Sequence, residues 1–216
     1  MLSFPFGNSY RQFERIIVRA ADSPAGLPIG ALTSDNRDLW TDARAALIAA
    51  SPSHNATLLR QIESAMNIVV LDETKPVTRE DISWNTWAGN AGNRWFDKHQ
   101  RALCFSGASR LVLIIGCLVI VYDNGRSGFL GEHSCMDGTP TLRMNEYILA
   151  TIALGRADLG PERNAETGKD LARPEELVFE VNGKVEELVK GAEQRYDQLL
   201  AQHDMQVRCC QTLVCQ

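Results

Sequence analysis

From Leu111 to Val121 the chain runs through eleven residues without a charged or polar side chain, and after Tyr122 it meets Asp123-Asn124-Gly125. Eleven residues fall well short of the roughly 20 needed to cross a bilayer. Their β-branched content instead fits a buried strand. Asp-Asn-Gly is a strong turn signal, and Gly128-Phe129-Leu130-Gly131-Glu132-His133 then reads as the returning strand of a hairpin. Any fold for this chain has to bury that hairpin.

The flanking elements are mixed. Phe13, Ile16, Ile17 and Ala20 recur at helical spacing, predicting a short helix over Ser9–Ala21. A second helix is expected through Leu39, Trp40, Ala43, Leu47 and Ile48, with Thr33 or Ser34 as its N-cap. A third runs through Leu58, Leu59, Ile62 and Ala65, with Asn55 as its cap, and Ile68–Asp72 follows as a buried strand. Asp81–Gly92, with Trp84 and Trp87, reads as a loop or short helix. Leu142–Leu154 reads as a helix carrying Met144, Tyr147, Ile148, Thr151 and Ile152 on one side. Gly155–Glu175 reads as a loop, Glu176–Val181 as a strand and Lys184–His203 as a long charged helix. Hairpin-like strands without regular β-α-β alternation predict an α+β or mixed α/β fold rather than a Rossmann fold. No G-x-G-x-x-G or P-loop motif occurs, so no dinucleotide or nucleotide-phosphate site is expected.

The 216 residues suffice for one large domain or two small ones. With 22 Lys+Arg against 27 Asp+Glu, the chain lacks the clustered positive charge that nucleic acid or an anionic membrane needs. Met1-Leu2-Ser3-Phe4-Pro5-Phe6 has neither the basic start nor the apolar run of a signal peptide. Three of the six cysteines, Cys209, Cys210 and Cys215, crowd the last eight residues, while Cys104, Cys117 and Cys135 lie apart. That is not a disulfide framework, and a reducing compartment is expected. Without a C-x-x-C pair or an H-x-x-x-H, no metal site is expected.

Of the four histidines, His133 has the most informative setting: Gly131-Glu132-His133-Ser134-Cys135-Met136-Asp137-Gly138. At average Asp and Gly usage, an H-x-x-x-D-G element arises by chance in roughly one such sequence in 70. The residues leave three readings open. Asp137 braces the imidazole, which then acts as a general base near neutral pH. Or His133 is a hydrogen-bonded turn residue. Or Cys135, two positions on along a continuing strand, shares a face with His133 as a thiolate–imidazole pair.

Four blocks of sequence carry a resemblance that bears on this choice. The first is Ile29-Gly30-Ala31-Leu32-Thr33-Ser34-Asp35-Asn36-Arg37-Asp38-Leu39-Trp40, and the second is Gly92-Asn93-Arg94-Trp95-Phe96-Asp97-Lys98. The third is Asp123-Asn124-Gly125, Gly128 and Gly131 to Thr141; the fourth is Leu177-Val178-Phe179 with Gln202-His203-Asp204-Met205-Gln206-Val207. Together they resemble the choline/carnitine acyltransferases, most of all fungal carnitine O-acetyltransferases, over nearly the whole chain. The resemblance implies a chloramphenicol-acetyltransferase-like, CoA-dependent acyltransferase domain. It makes His133 the general base that takes a proton from the carnitine hydroxyl, or from the CoA thiol in reverse, with direct attack on the acyl carbonyl. Asp137 matches the family's carboxylate four residues on and receives an orienting role. Trp40, Arg94, Trp95, Phe96 and Asp97 read as scaffold: buried aromatics and a bonded Arg–Asp pair. Carnitine and acyl-CoA are the implied substrates, with CoA or acetyl-CoA as co-substrate rather than a tightly held cofactor. A monomer when complete, in mitochondria or peroxisomes and otherwise in the cytoplasm, is the family expectation.

The chain departs from the family pattern in two places. About nineteen residues near 101–119 are extra, and excising them joins Gln100 to Ile120 in a family-like strand and turn. The expected organisation is therefore a partial acyltransferase domain over 1–207, interrupted by an insertion at 101–119, read as an intron translated in frame or else as a long hairpin loop, and an unrelated tail at 208–216. Family members extend much further at both ends, so CoA-binding residues are expected in a C-terminal half that this sequence lacks. The resulting expectation is a truncated, weakly active or inactive acetyltransferase. The alternative is a catalytically dead paralogue that survives as a binding or regulatory module.

Overall fold

The computed structural model describes residues 6–22, 26–65, 67–89, 91–96, 117–131, 137–157 and 174–206. Six α-helices and three strands are present among them: α1 (Phe6–Asp22), α2 (Arg37–Ala50), α3 (His54–Glu63), β1 (Asn67–Asp72), α4 (Arg79–Trp87), β2 (Cys117–Tyr122), β3 (Ser127–Gly131), α5 (Gly138–Ala153) and α6 (Gly183–Leu200). Short 3-10 helices occupy Ile29–Ser34 and Ala91–Asn93. They form two units, one drawn from Met1–Gly26 and Asp137–Val178, the other from Leu27–Met136 and Phe179–Gln216.

In the second unit the sheet has the order β1-β2-β3. The expected hairpin is present, with Cys117 opposite Gly131 and Val121 opposite Ser127. The sheet is mixed, because β1 pairs parallel to β2, Val70 beside Ile120 and Asp72 beside Tyr122. β2 starts inside the stretch expected as an insertion. Cys117–Val119 are sheet residues in register with Asn67–Val69, and Leu118 is wholly buried. An apolar β-branched run of this kind gains more from ladder hydrogen bonds and burial than an exposed loop could.

Alternation along β2 puts Leu118, Ile120 and Tyr122 on one face, where they pack with Val70, Ile82 and Leu130. α4 lies on this face. Its start carries a reciprocal capping box, with Thr78 and Asp81 each accepting the other's backbone N–H, which fixes a helix where the sequence left loop and helix open. The approach of α4 to β3 is close because position 128 is glycine. A Cβ there would lie 2.1 Å from Thr86 Oγ1, which shares a 2.9 Å hydrogen bond with the Tyr122 hydroxyl. Gly128→Ala is therefore expected to cost about 1–3 kcal/mol by overpacking. Adding Thr86→Ala should recover part of that loss in urea unfolding; an unchanged midpoint in the single variant would refute the close contact.

The larger core joins the first 3-10 helix, α2, α3 and α6 through Leu32, Trp40, Leu47, Leu59, Val185, Val189 and Ala192. Several local expectations change here. The N-cap of α2 is Asn36, whose Oδ1 accepts from Asp38 N and Leu39 N at 3.1 and 3.0 Å. Thr33 and Ser34 lie inside the preceding 3-10 helix, their hydroxyls donating back to Gly30 and Ala31 carbonyls. Asn55 does not cap α3, which begins at His54. Its side chain is fully buried. Asn55 Nδ2 donates to the Leu47 and Glu180 carbonyls, each at 2.7 Å, and Oδ1 accepts from Glu180 N at 3.0 Å. One amide thus replaces a neighbouring strand for the segment around Glu180, and residues 176–181 form no strand. Asn55→Ala leaves these backbone groups without that partner and is expected to cost about 2–3 kcal/mol, read as a lower chemical-denaturation midpoint. A loss below about 0.5 kcal/mol would mean that water replaces the amide.

In the first unit, Arg19 of α1 donates to the Pro174 carbonyl at 3.0 Å and pairs with Glu176 at 3.3 Å. α5 forms where expected, but no described residue of it is buried. Tyr147, Ile148 and Ile152 of its expected apolar side are exposed, and so is Leu149.

Candidate active site

His133, with Cys135, lies outside the described residues. Along the chain it comes two residues after β3 ends and four before Asp137. Asp137 is the N-cap of α5 and has extended backbone. Its Oδ1 accepts from Gly138 N at 2.7 Å, and its carbonyl accepts the Thr141 hydroxyl at 3.1 Å. This carboxylate therefore has a folding role of its own, beside any role toward the imidazole. Extended backbone before a helix and an oxygen able to accept an N–H are what an N-cap requires.

The scaffold reading of the first two blocks takes a definite form. Arg94 and Asp72 make a salt bridge of 2.8 Å, with their side chains 0% and 2% exposed. Arg94 also donates to Asn93 Oδ1 at 2.7 Å and to the Asn85 carbonyl at 3.0 Å, while its Nε has no partner among the described residues. Asp72 Oδ1 accepts from both N and Oγ1 of Thr74, at 2.8 and 2.6 Å, and Oδ2 accepts from Asn93 Nδ2 at 3.2 Å. Burial alone would raise the Asp72 pKa. The hydrogen bonds from Thr74 and Arg94, with the Arg94 charge, outweigh it and hold the carboxyl below its ordinary value.

The same block seats the first one. Phe96 N donates to Thr33 Oγ1 at 2.8 Å, and Trp95 meets Trp40 edge to face at 5.8 Å. A side chain at residue 30 would run into the Arg94 carbonyl, 2.2 Å from an added Cβ, so only glycine fits there. Trp40, Arg94 and Trp95 are thus buried scaffold, and Phe96 packs against the same core. Asp97 lies outside the described residues. The partner of Arg94 among them is Asp72, the last residue of β1. A carboxylate closing an otherwise apolar strand, Ile68-Val69-Val70-Leu71-Asp72, was the signal for it. The bidentate Arg195–Asp35 pair, at 2.7 and 2.6 Å, had no such signal.

A family model for choline/carnitine O-acyltransferases matches residues 7–113 and 116–213. The chain belongs to that family. It is 30% identical to mitochondrial carnitine O-acetyltransferase of Saccharomyces cerevisiae over 92% of its residues, and 30% identical to peroxisomal carnitine O-octanoyltransferase of Bos taurus over 86%. It is 28% identical to choline O-acetyltransferase of Danio rerio over 92%. The chain spans only 27%, 28% and 29% of the lengths of these three relatives. Among the described residues no helix is long and apolar enough to cross a membrane.

Proposed function

We propose that this chain bears the catalytic base of an acyltransferase that moves an acetyl or short acyl group between CoA and carnitine. The single observation that carries the reading is the family match running through the Glu132-His133-x-x-x-Asp137 element. The domain is read as one of the chloramphenicol-acetyltransferase type, a reading that the mixed three-stranded sheet supports. His133 takes the proton from the carnitine hydroxyl. The oxygen attacks the thioester carbonyl, the tetrahedral intermediate collapses with cleavage of the C–S bond, and the imidazolium returns its proton to the departing CoA sulfur. Acylcarnitine and free CoA result, with no acyl-enzyme. Asp137 accepts from the imidazole and fixes its orientation. CoA enters as co-substrate. The names of the relatives support a mitochondrial or peroxisomal setting.

The test is thiol release from acetyl-CoA by the purified chain, with and without carnitine, and with choline in its place. Release that needs carnitine and disappears in His133→Ala supports the reading, and Cys135→Ala should leave it unchanged. Release indifferent to carnitine or to His133 overturns it. Binding of acetyl-CoA or carnitine without any turnover would assign the chain to the binding-module alternative.

A further inference from the structure

Within the second unit, a cavity of about 350 Å³ is walled by Trp40, Trp87, Phe96, Tyr196, Leu130 and Leu199. That volume is at the small end for ligand pockets, which run from about 300 to 1,000 Å³. Four rings and two leucines give it an apolar body. Phe96 and Tyr196 stand 5.5 Å apart, and Trp84 braces Trp87 at the same separation. The Tyr196 hydroxyl is committed to the Ala88 carbonyl. Burial pushes its pKa up to about 12, so at neutral pH the ring adds a wall without charge.

The polar lining is asymmetric. Asp35 reaches the cavity, but both its oxygens are held by Arg195. Its charge is neutralised in place. Ser34 spends its proton on the Ala31 carbonyl. Arg37, the first residue of α2, also lines the cavity. It is exposed, and no carboxylate among the described residues pairs with it. The pocket therefore combines an apolar interior with one guanidinium that has no carboxylate partner among the described residues. A planar guanidinium matches a carboxylate through two parallel hydrogen bonds, and it repels a cationic head.

We infer that this cavity binds a short aliphatic carboxylate, with its chain against Trp87 and Phe96 and its carboxylate on Arg37. The inference does not depend on the acyl-transfer reading proposed above.

The experiment titrates the whole chain with hexanoate, 1-hexanol and hexylamine, following tryptophan fluorescence and confirming binding by ligand-observed NMR. Hexanoate should bind saturably, and 1-hexanol and hexylamine about tenfold more weakly or less, the usual scale for losing one charge-assisted contact. Arg37→Gln should weaken hexanoate about tenfold, and Arg37→Lys should restore part of it; both change an exposed side chain, and far-UV circular dichroism checks that they fold alike. Equal binding of hexanoate and 1-hexanol, or unchanged affinity in Arg37→Gln, overturns the proposal. So does a loss of hexanoate binding in His133→Ala, which would place the acid in the acyl-transfer site instead. If turnover is absent but hexanoate binding still needs Arg37, the acyltransferase reading fails and this one stands.

Discussion

Arg94→Ala is expected to remove about 3–5 kcal/mol of stability, the range for breaking one partner out of a buried ion pair. Small domains have only about 5–15 kcal/mol in total, so the variant should sit at or near the edge of folding. The loss has a specific origin. Asp72, 2% exposed, would keep its hydrogen bonds from Thr74 and Asn93 but lose its counter-charge. The Asn85 carbonyl and Asn93 Oδ1 would each lose a donor. Removing both charges together should hurt less. Arg94→Met with Asp72→Leu has no stranded charge, though Thr74 N, Thr74 Oγ1 and the Asn85 carbonyl still need partners. A double variant clearly more stable than Arg94→Ala alone is the expected sign of coupling. A single-variant loss below about 1 kcal/mol in urea unfolding would show that the pair contributes little.

The sign of the pH effect follows from the depressed Asp72 pKa. Its stabilisation is fully present above the unfolded carboxylate value of about 3.9 and is lost as pH falls through the lower folded value. The acid limb of the stability profile should therefore be flatter in Asp72→Asn than in the parent chain.

How much of this was legible beforehand depended on whether a residue's role was local. The hairpin was legible because turn chemistry and strand periodicity sit within about twenty consecutive residues. α1, α2 and α6 were legible from their spacing of apolar positions. The parallel β1–β2 pairing was not, since it joins residues 67–72 to 117–122, and nothing local records which strand lies beside which. Asn55 shows the same limit more sharply. An asparagine before a helical pattern reads as a cap, and only the tertiary position of Glu180, 125 residues away, turns it inward. The strand expected at 176–181 failed with it: the backbone groups at Glu180 are taken by a side chain, which needs no ladder. Arg94 was recognised as scaffold; the carboxylate that pairs with it among the described residues is Asp72 of β1, and no local pattern records a pairing between residues so far apart in sequence. For the site, the reading rests on the sequence motif, since His133 lies outside the described residues. The family match supports the acyltransferase assignment, while the roles of His133 and Asp137 are the part that experiment has to decide.

Asp137 is where that decision can be made cleanly. His133→Ala is expected to lower carnitine-dependent acyl transfer by about 10²–10⁴-fold, the usual contribution of a general base, and to leave the unfolding midpoint nearly unchanged. Asp137→Ala should do two things at once. It removes the α5 N-cap, costing about 1 kcal/mol, and it removes the group proposed to orient the imidazole. Asp137→Asn separates these effects. Asparagine is as good an N-cap as aspartate, and its amide oxygen can still accept from Gly138 N. It lacks the negative charge that stabilises an imidazolium as the proton moves. If Asp137 positions His133, Asp137→Asn should fold with parent-like stability, lower kcat more than KM, and shift the pH–rate profile, because the base loses its anionic neighbour. If Asp137 is only a cap, Asp137→Asn should match the parent in stability, rate and pH profile alike, while Asp137→Ala should lose about 1 kcal/mol of stability and little turnover. The Asn variant is informative because the structure shows Asp137 already engaged at the start of α5; without that bond, a damaged alanine variant would be read as catalytic on stability alone.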